Sequence, residues 1–316
     1  MNILIIGAGA LGVALGASLL NTGNEVSYFT KGETKKAIDE GGLHRTGLFG
    51  DLDFGSGCVK TYNSYDDLSI DEYDYILVSA KTLANDEISH ELNVHRGIMK
   101  ASGKIVIVQN GWGNDIPYLR FFDKDKVYNA RVISGFKRKA RNVSEITVHN
   151  SPILLGSLHG YDSGAMTLLA KAINASGLPC EASSQVAEAL WAKMIYNCTL
   201  NPLSAILRVN YGKLTESQYS IHIMDTLIDE IYSVINAAGY KTSWATPDEY
   251  RQIFYSKLVP DTYNHISSTL QDIEKKYKTE IDTLTGCIIS IANEHGISVP
   301  YSKMIYNLIK SIEDTF

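Results

Sequence analysis

Cysteine is scarce in this chain of 316 residues: Cys58, Cys180, Cys198 and Cys287 are scattered, with no C-x-x-C pair and no histidine cluster beside them. That spacing argues against a zinc site and for reduced thiols in a cytoplasmic protein. Basic residues are not in excess, since 29 lysines and arginines face 35 acids for a formal charge of -6. Such a balance disfavours a nucleic-acid partner. No apolar run reaches the roughly 20 residues that span a bilayer, so no membrane partner is expected. The segment Met1 to Ile6 lacks the basic lead-in and cleavage pattern of a signal peptide and reads as a first strand. Internal repeats and low-complexity segments are also missing. What remains is an ordinary globular composition, 45% hydrophobic and 20% charged, in a chain long enough for two domains and a large core.

The first strand runs straight into Gly7, Ala8, Gly9, Ala10, Leu11 and Gly12, followed by a helical stretch to Asn21 and a second strand from Glu25 to Thr30. Strand, glycine turn, helix and strand in this order are the context that a G-x-G-x-x-G dinucleotide fingerprint requires. Gly7 permits the tight turn, Gly9 lets the backbone approach a pyrophosphate, and Gly12 allows close helix packing. NAD-specific sites usually place an acid at the end of the second strand, but this chain reads Phe29, Thr30, Lys31, Gly32. An acid would repel a 2′-phosphate, whereas Thr30 and Lys31 can bind one, so NADP (NADPH) is the expected cofactor. The alternative is that Lys31 is a solvated loop lysine.

Two further apolar strands, Tyr73 to Ala80 and Lys104 to Val108, end in Lys81 and in Gln109, Asn110, Gly111. Ligands of open α/β sheets bind beyond the carboxyl ends of the strands, which puts Lys81 and Asn110 on the cofactor edge. Residues 86–100 supply the crossover helix. Glu145 to His149 and Ile153 to Gly156 read as late strands of the same domain, and the basic run Lys137, Arg138, Lys139, Arg141 reads as a solvated hairpin face. The expected fold is thus α/β, with a Rossmann-type domain over 1–181 and an all-helical domain over 182–316. In the second half, 221–238, 247–258 and 279–294 carry apolar residues at helical spacing.

The first helix of that half, Ala187 to Leu207, is a largely apolar run interrupted by the strongly polar Lys193, Asn197 and Asn201. Residues four apart share a helix face, so an ammonium and two carboxamides line one stripe. Burying them without partners costs several kcal/mol on the scale of about 2–7 per unpaired polar group, so something polar must meet the stripe. Neighbouring backbone carbonyls or a carboxylate could equally satisfy it.

The residues together resemble the ketopantoate reductase (2-dehydropantoate 2-reductase) family along essentially the whole chain. The resemblance rests on Gly7 to Gly12, Val78-Ser-Ala-Lys81, Gln109-Asn-Gly-Trp-Gly113, the run Lys193 to Ala205, Ser267-Ser-Thr-Leu-Gln-Asp272, Thr279-Glu-Ile-Asp282 with Gly286, and His295 to Pro300. It implies NADPH-dependent reduction of a 2-oxo acid to a 2-hydroxy acid, a step of pantothenate biosynthesis. On the family's pattern Lys193 donates the proton, Asn197 and Asn201 bind substrate, and Ser268 contacts its carboxylate. Glu280 lies beside the lysine and the cofactor, Asn110 bridges cofactor and substrate, and Lys81 sits near the cofactor. No metal is implied, and a homodimer is left open.

Two departures bear on the substrate. The family usually has Asn directly before Gly where this chain reads Asn210, Tyr211, Gly212, and the stretch Phe136 to Asn142 replaces small residues and a Pro-Gly turn. Relatives with this frame reduce other branched or aromatic 2-oxo acids, which is the alternative activity. A catalytically silent NADP-binding regulatory protein is the alternative of another class, and a dead site has no physical need for this desolvated polar set.

Overall fold

The run Asn2–Ile6 forms β1, and residues 3 to 6 are at most 2% exposed. Ile3 and Ile5 feed one apolar core while Leu4 and Ile6 feed another, so the strand is buried on both faces, as parallel strands flanked by helices are. In the computed structural model all residues 1–316 are described, and they divide into two units: Met1–Gln109 with Asn114–Val186, and Asn110–Gly113 with Ala187–Phe316.

The first unit holds every strand. They are β1, β2 (Glu25–Phe29), β3 (Leu43–Gly47), β4 (Leu52–Phe54), β5 (Lys60–Tyr62), β6 (Tyr73–Val78), β7 (Met99–Ile107), β8 (Val127–Arg131), β9 (Ser134–Ala140), β10 (Val143–His149), β11 (Ile153–Gly156) and β12 (Cys180–Ala182). Eight form one sheet in the order β12-β11-β8-β7-β6-β1-β2-β5, parallel except for β11 against β8. The strand order reverses at β1, the switch point where open sheets bind nucleotides. Its helices are α1 (Ala10–Asn21), α2 (Gly32–Gly41), α3 (Asn85–Val94), α4 (Ile116–Leu119) and α5 (Thr167–Ala175). The crossover from β6 to β7 passes through α3, as expected.

A second sheet, β4-β3-β10-β9, takes β10 out of the main sheet. Its short strands are polar on one side, so β3 carries no apolar alternation strong enough to announce it.

The second unit is helical: α6 (Val186–Leu207, its first residue in the other unit), α7 (Tyr211–Leu214), α8 (Gln218–Ala237), α9 (Pro247–Ile253), α10 (Val259–Asp261), α11 (Ser268–Glu274), α12 (Thr285–Glu294) and α13 (Pro300–Glu313). Residues 279–284, expected to be helical, form a turn instead. The buried Glu313 carboxylate accepts from the Thr279 N–H at 2.7 Å and from its hydroxyl at 2.6 Å, and the Glu280 carbonyl accepts from the amides of Thr283 and Leu284, both at 3.2 Å. The helical backbone breaks at Leu284, with φ −101° and ψ −100°, so α12 begins only at Thr285.

Candidate active site

In the first unit the glycine turn follows β1 and delivers α1. Gly7 has φ +95°, and a Cβ there would lie 2.6 Å from the Ala80 amide nitrogen. Only glycine lets this backbone pass so close to the end of β6. The Gly7 carbonyl accepts from the Ser79 hydroxyl at 2.6 Å, which ties the turn to the neighbouring strand end. Gly9 caps α1 without any side-chain acceptor, the first turn contains no acid, and a Cβ on Gly9 would meet nothing within 4 Å. Helix N–H groups without a side-chain cap, under open space, fit a pyrophosphate. Ala8, Ala10, Leu11 and Gly12 complete the turn. Thr30 is 8% exposed and its N–H bonds to the Tyr62 carbonyl at 2.9 Å, while the exposed Lys31 holds its ammonium 3.9 Å from Glu87 and 5.7 Å over the Phe29 ring. Lys81 is exposed directly after Ala80, at the carboxyl end of β6.

In the second unit α6 carries the polar stripe. Its remaining surface packs: Trp191, Met194, Ile195, Cys198 and Leu200 are all at most 1% exposed. Lys193 and Asn197 are half-buried and Asn201 is 4% exposed. The Lys193 ammonium donates to the Asn110 side-chain oxygen, so the cation on the helix is met by the carboxamide from the end of β7. Asn110 belongs to this unit because its own loop is pinned here. The Trp112 ring lies 4.9 Å from Trp191 and 5.0 Å from Tyr240, and the Trp112 N–H bonds to the Thr283 carbonyl at 3.1 Å. Gly111, at φ +101°, brings its Cα against that same carbonyl, where a Cβ would sit 2.6 Å away. The turn that starts at Glu280 is therefore packed on the loop that presents Asn110 to Lys193.

At the far end of the stripe the buried Tyr211 hydroxyl donates to the Asn201 side-chain oxygen, and burial pushes the phenol far above its usual range, so it remains a donor. Its ring lies 5.0 Å from His265 and 5.7 Å from Tyr196. Ser267 caps α11 by accepting from Leu270 N–H at 3.1 Å and donates its hydroxyl to the Asn201 carbonyl at 3.2 Å. Ser268, the next residue, is exposed at the start of that helix.

The structure thus collects Gly7 to Gly12 with Thr30 and Lys31 in one unit, and Asn110, Lys193, Asn197, Asn201 and the Glu280 turn in the other. Sequence reading passed over Ser267, Glu313 and Thr34. Ser267 has a local signal as an N-cap, whereas Glu313 reaches Thr279 across 34 residues and leaves none. No group of three or more His, Cys, Asp or Glu is arranged to hold a metal.

A parallel sheet with an uncapped glycine turn at its switch point, followed by an all-helical unit carrying a lysine and two asparagines on one stripe, defines a dinucleotide-binding oxidoreductase. Comparison with known proteins is specific. The family described as "Ketopantoate reductase PanE/ApbA" matches residues 3–160, and "Ketopantoate reductase PanE/ApbA C terminal" matches residues 185–313. The 2-dehydropantoate 2-reductase of Aquifex aeolicus is 32% identical over 99% of this chain and 97% of its own. That of Archaeoglobus fulgidus is 25% identical over 99% and 98%. A crystal structure of a PanE/ApbA family ketopantoate reductase from Ralstonia eutropha superimposes with a TM-score of 0.85 at 26% identity, covering 100% of this chain and 99% of that one. D-mandelate dehydrogenase with NADH and anilino(oxo)acetate shares the fold at a TM-score of 0.84 and 22% identity, over 100% and 99%. The chain belongs to the ketopantoate reductase family.

Proposed function

We propose that the protein is an NADP-dependent 2-dehydropantoate 2-reductase, converting ketopantoate to pantoate in the cytoplasm. One observation carries the reading: a lysine on a largely apolar helix has its ammonium held by Asn110 in a chain whose full-length relatives bear that name.

NADPH supplies a hydride when bound, and the glycine turn with Thr30, Lys31 and Lys81 holds it through phosphates and ribose. Lys193 hydrogen-bonds the ketone oxygen of the substrate, stabilises the negative charge that develops there, and then gives up its proton to that oxygen. Asn110 fixes the ammonium, and the Glu280 carboxylate, which the family's pattern puts beside the lysine, would oppose the loss of charge that desolvation favours. Asn197 and Asn201 orient the substrate along the stripe, and Ser268 receives the carboxylate. The apolar flanks of α6 keep water from competing for these bonds.

A specific observation supports a second reading, a reductase of another branched or aromatic 2-oxo acid. Tyr211 stands where the family usually has Asn, and its hydroxyl already engages Asn201. A panel of 2-oxo acids assayed by NADPH oxidation decides between the two. Ketopantoate should be turned over at least as fast as any aryl or alkyl 2-oxo acid. A clear preference for one of those would move the assignment to the second reading, and tight NADPH binding without turnover of any would favour a silent regulatory protein.

A further inference from the structure

Four basic residues, all exposed, cluster on β9 and the turn into β10: Lys137, Arg138, Lys139 and Arg141, with Lys139 3.3 Å from Glu145. Arg138 points elsewhere. Its Nη2 donates to the Ala8 carbonyl at 3.1 Å, inside the glycine turn, to the Thr34 hydroxyl at 2.9 Å, in the first turn of α2, and to the Arg141 carbonyl at 3.1 Å. The guanidinium therefore spans from the turn beneath the pyrophosphate site to the helix that follows β2. In a doubly wound fold the adenosine ribose lies between those two elements.

We propose that Arg138 is the principal ligand of the cofactor's 2′-phosphate, so that the second sheet, rather than the end of β2 alone, sets the preference for NADP. The proposal rests on the NADP reading above and names the residue that enforces it. Three arguments converge. The three acceptors of Arg138 just given are neutral oxygens, and a phosphate adds its own negative charge to a guanidinium bond that neutral carbonyls and hydroxyls cannot match. A guanidinium offers a planar fork that matches a phosphate, whereas the Lys31 ammonium is a point charge. Finally, α2 has Lys31 as an N-cap without a side-chain bond, and Thr34 in its first turn is the residue Arg138 already touches, so the fork stands against the turn that also carries the Glu33 carboxylate. Arg138 is carried on a strand paired with β10, and β10 is paired with β3, so the fork is held by a sheet and not by a loose loop.

The test is equilibrium binding, read by fluorescence titration, of NADPH, NADH, adenosine 2′,5′-bisphosphate and AMP to the intact protein. Arg138→Gln should weaken NADPH and the bisphosphate by at least about tenfold, the effect of losing one charged hydrogen bond, and leave NADH and AMP within about twofold. Arg138→Lys should fall between Arg138→Gln and the wild type, because it keeps the charge without the fork. Equal weakening of NADPH and NADH would show that Arg138 only props the glycine turn through Ala8, and no change in either would remove it from the site; both results overturn the proposal. If the wild type prefers NADPH and Arg138→Gln keeps that preference, this proposal alone falls. A wild type with no preference overturns the NADP reading together with it.

Discussion

In the first unit the glycine turn is built mainly from main chain, with uncapped amides at the start of α1, a glycine at φ +95° and open space above Gly9, and the Arg138 side chain reaches into it. In the second unit the candidate groups are side chains on one stripe of α6, two of them held by another side chain. Asn110 holds Lys193, Tyr211 holds Asn201, and Glu313 holds the turn of Glu280. The donors of a backbone cradle do not depend on side-chain identity, although Ala8 is buried in the core and leaves little room for a larger residue. A stripe of side chains fails at a single position. Binding and chemistry should accordingly come apart under mutation, with the first unit governing the affinity for cofactor and the second the rate.

The sharpest break should come at Lys193. Lys193→Ala removes the proposed proton donor and is expected to lower kcat by about 10² or more, the usual range for a general acid. NADPH binding, measured by fluorescence, should stay near the wild-type value. A variant that retained the wild-type rate would show that the proton comes from elsewhere and that the ammonium is a packing device.

A smaller effect is expected from the support of that site. Glu313 is 2% exposed, accepts both Thr279 donors and lies 3.0 Å from the Lys310 ammonium. Glu313→Ala leaves a buried N–H and a hydroxyl unpaired, at a cost of about 1–3 kcal/mol, seen as a lower Tm. Because the loosened turn carries Glu280, kcat should also fall, by up to about 10² if the lysine is misplaced by an ångström. A lower Tm with an unchanged kcat would separate the turn from the chemistry. Burial alone would raise the Glu313 carboxyl pKa, but the Thr279 and Lys310 bonds outweigh it and hold it below the usual value. With the folded pKa depressed, the stabilisation is complete above the unfolded value of about 4.3 and is lost as pH falls through the folded one. The wild type should therefore lose more stability than Glu313→Ala as the pH falls below about 4.

These two sites also differ in how openly the sequence displays them. The cradle is local: apolar strand, glycine spacing and helix are contiguous, and β1, α1 and β2 fall where the pattern puts them. The stripe is local too, because Lys193, Asn197 and Asn201 share one helix. Its partners are not. The turn at 279–284 is bonded to a carboxylate 34 residues away, and helical spacing alone extends α12 through it. The second sheet was illegible for a related reason, since β3 and β4 are short and mixed in polarity and gain their order from β10, which pairs with β3 across about a hundred residues. Arg138 was visible as a basic residue, but nothing near it in the chain indicates that its fork meets Ala8 and Thr34.

The smallest effect should appear at Lys31, and its size tests how far the first unit relies on side chains at all. Lys31 is exposed and shares its charge with Glu87, and exposed pairs of this kind are worth about 0.2–1 kcal/mol. Lys31→Glu places a second carboxylate beside Glu87 at the end of β2. It should weaken NADPH binding severalfold and NADH binding hardly at all. Raising the salt concentration should shrink the difference, because exposed charges are screened over roughly 10 Å at 0.1 M. If NADPH and NADH were affected alike, Lys31 would have no part in reading the 2′-phosphate. If instead the loss exceeded that of Arg138→Gln, the end of β2 would be the main determinant and the fork on β9 an accessory.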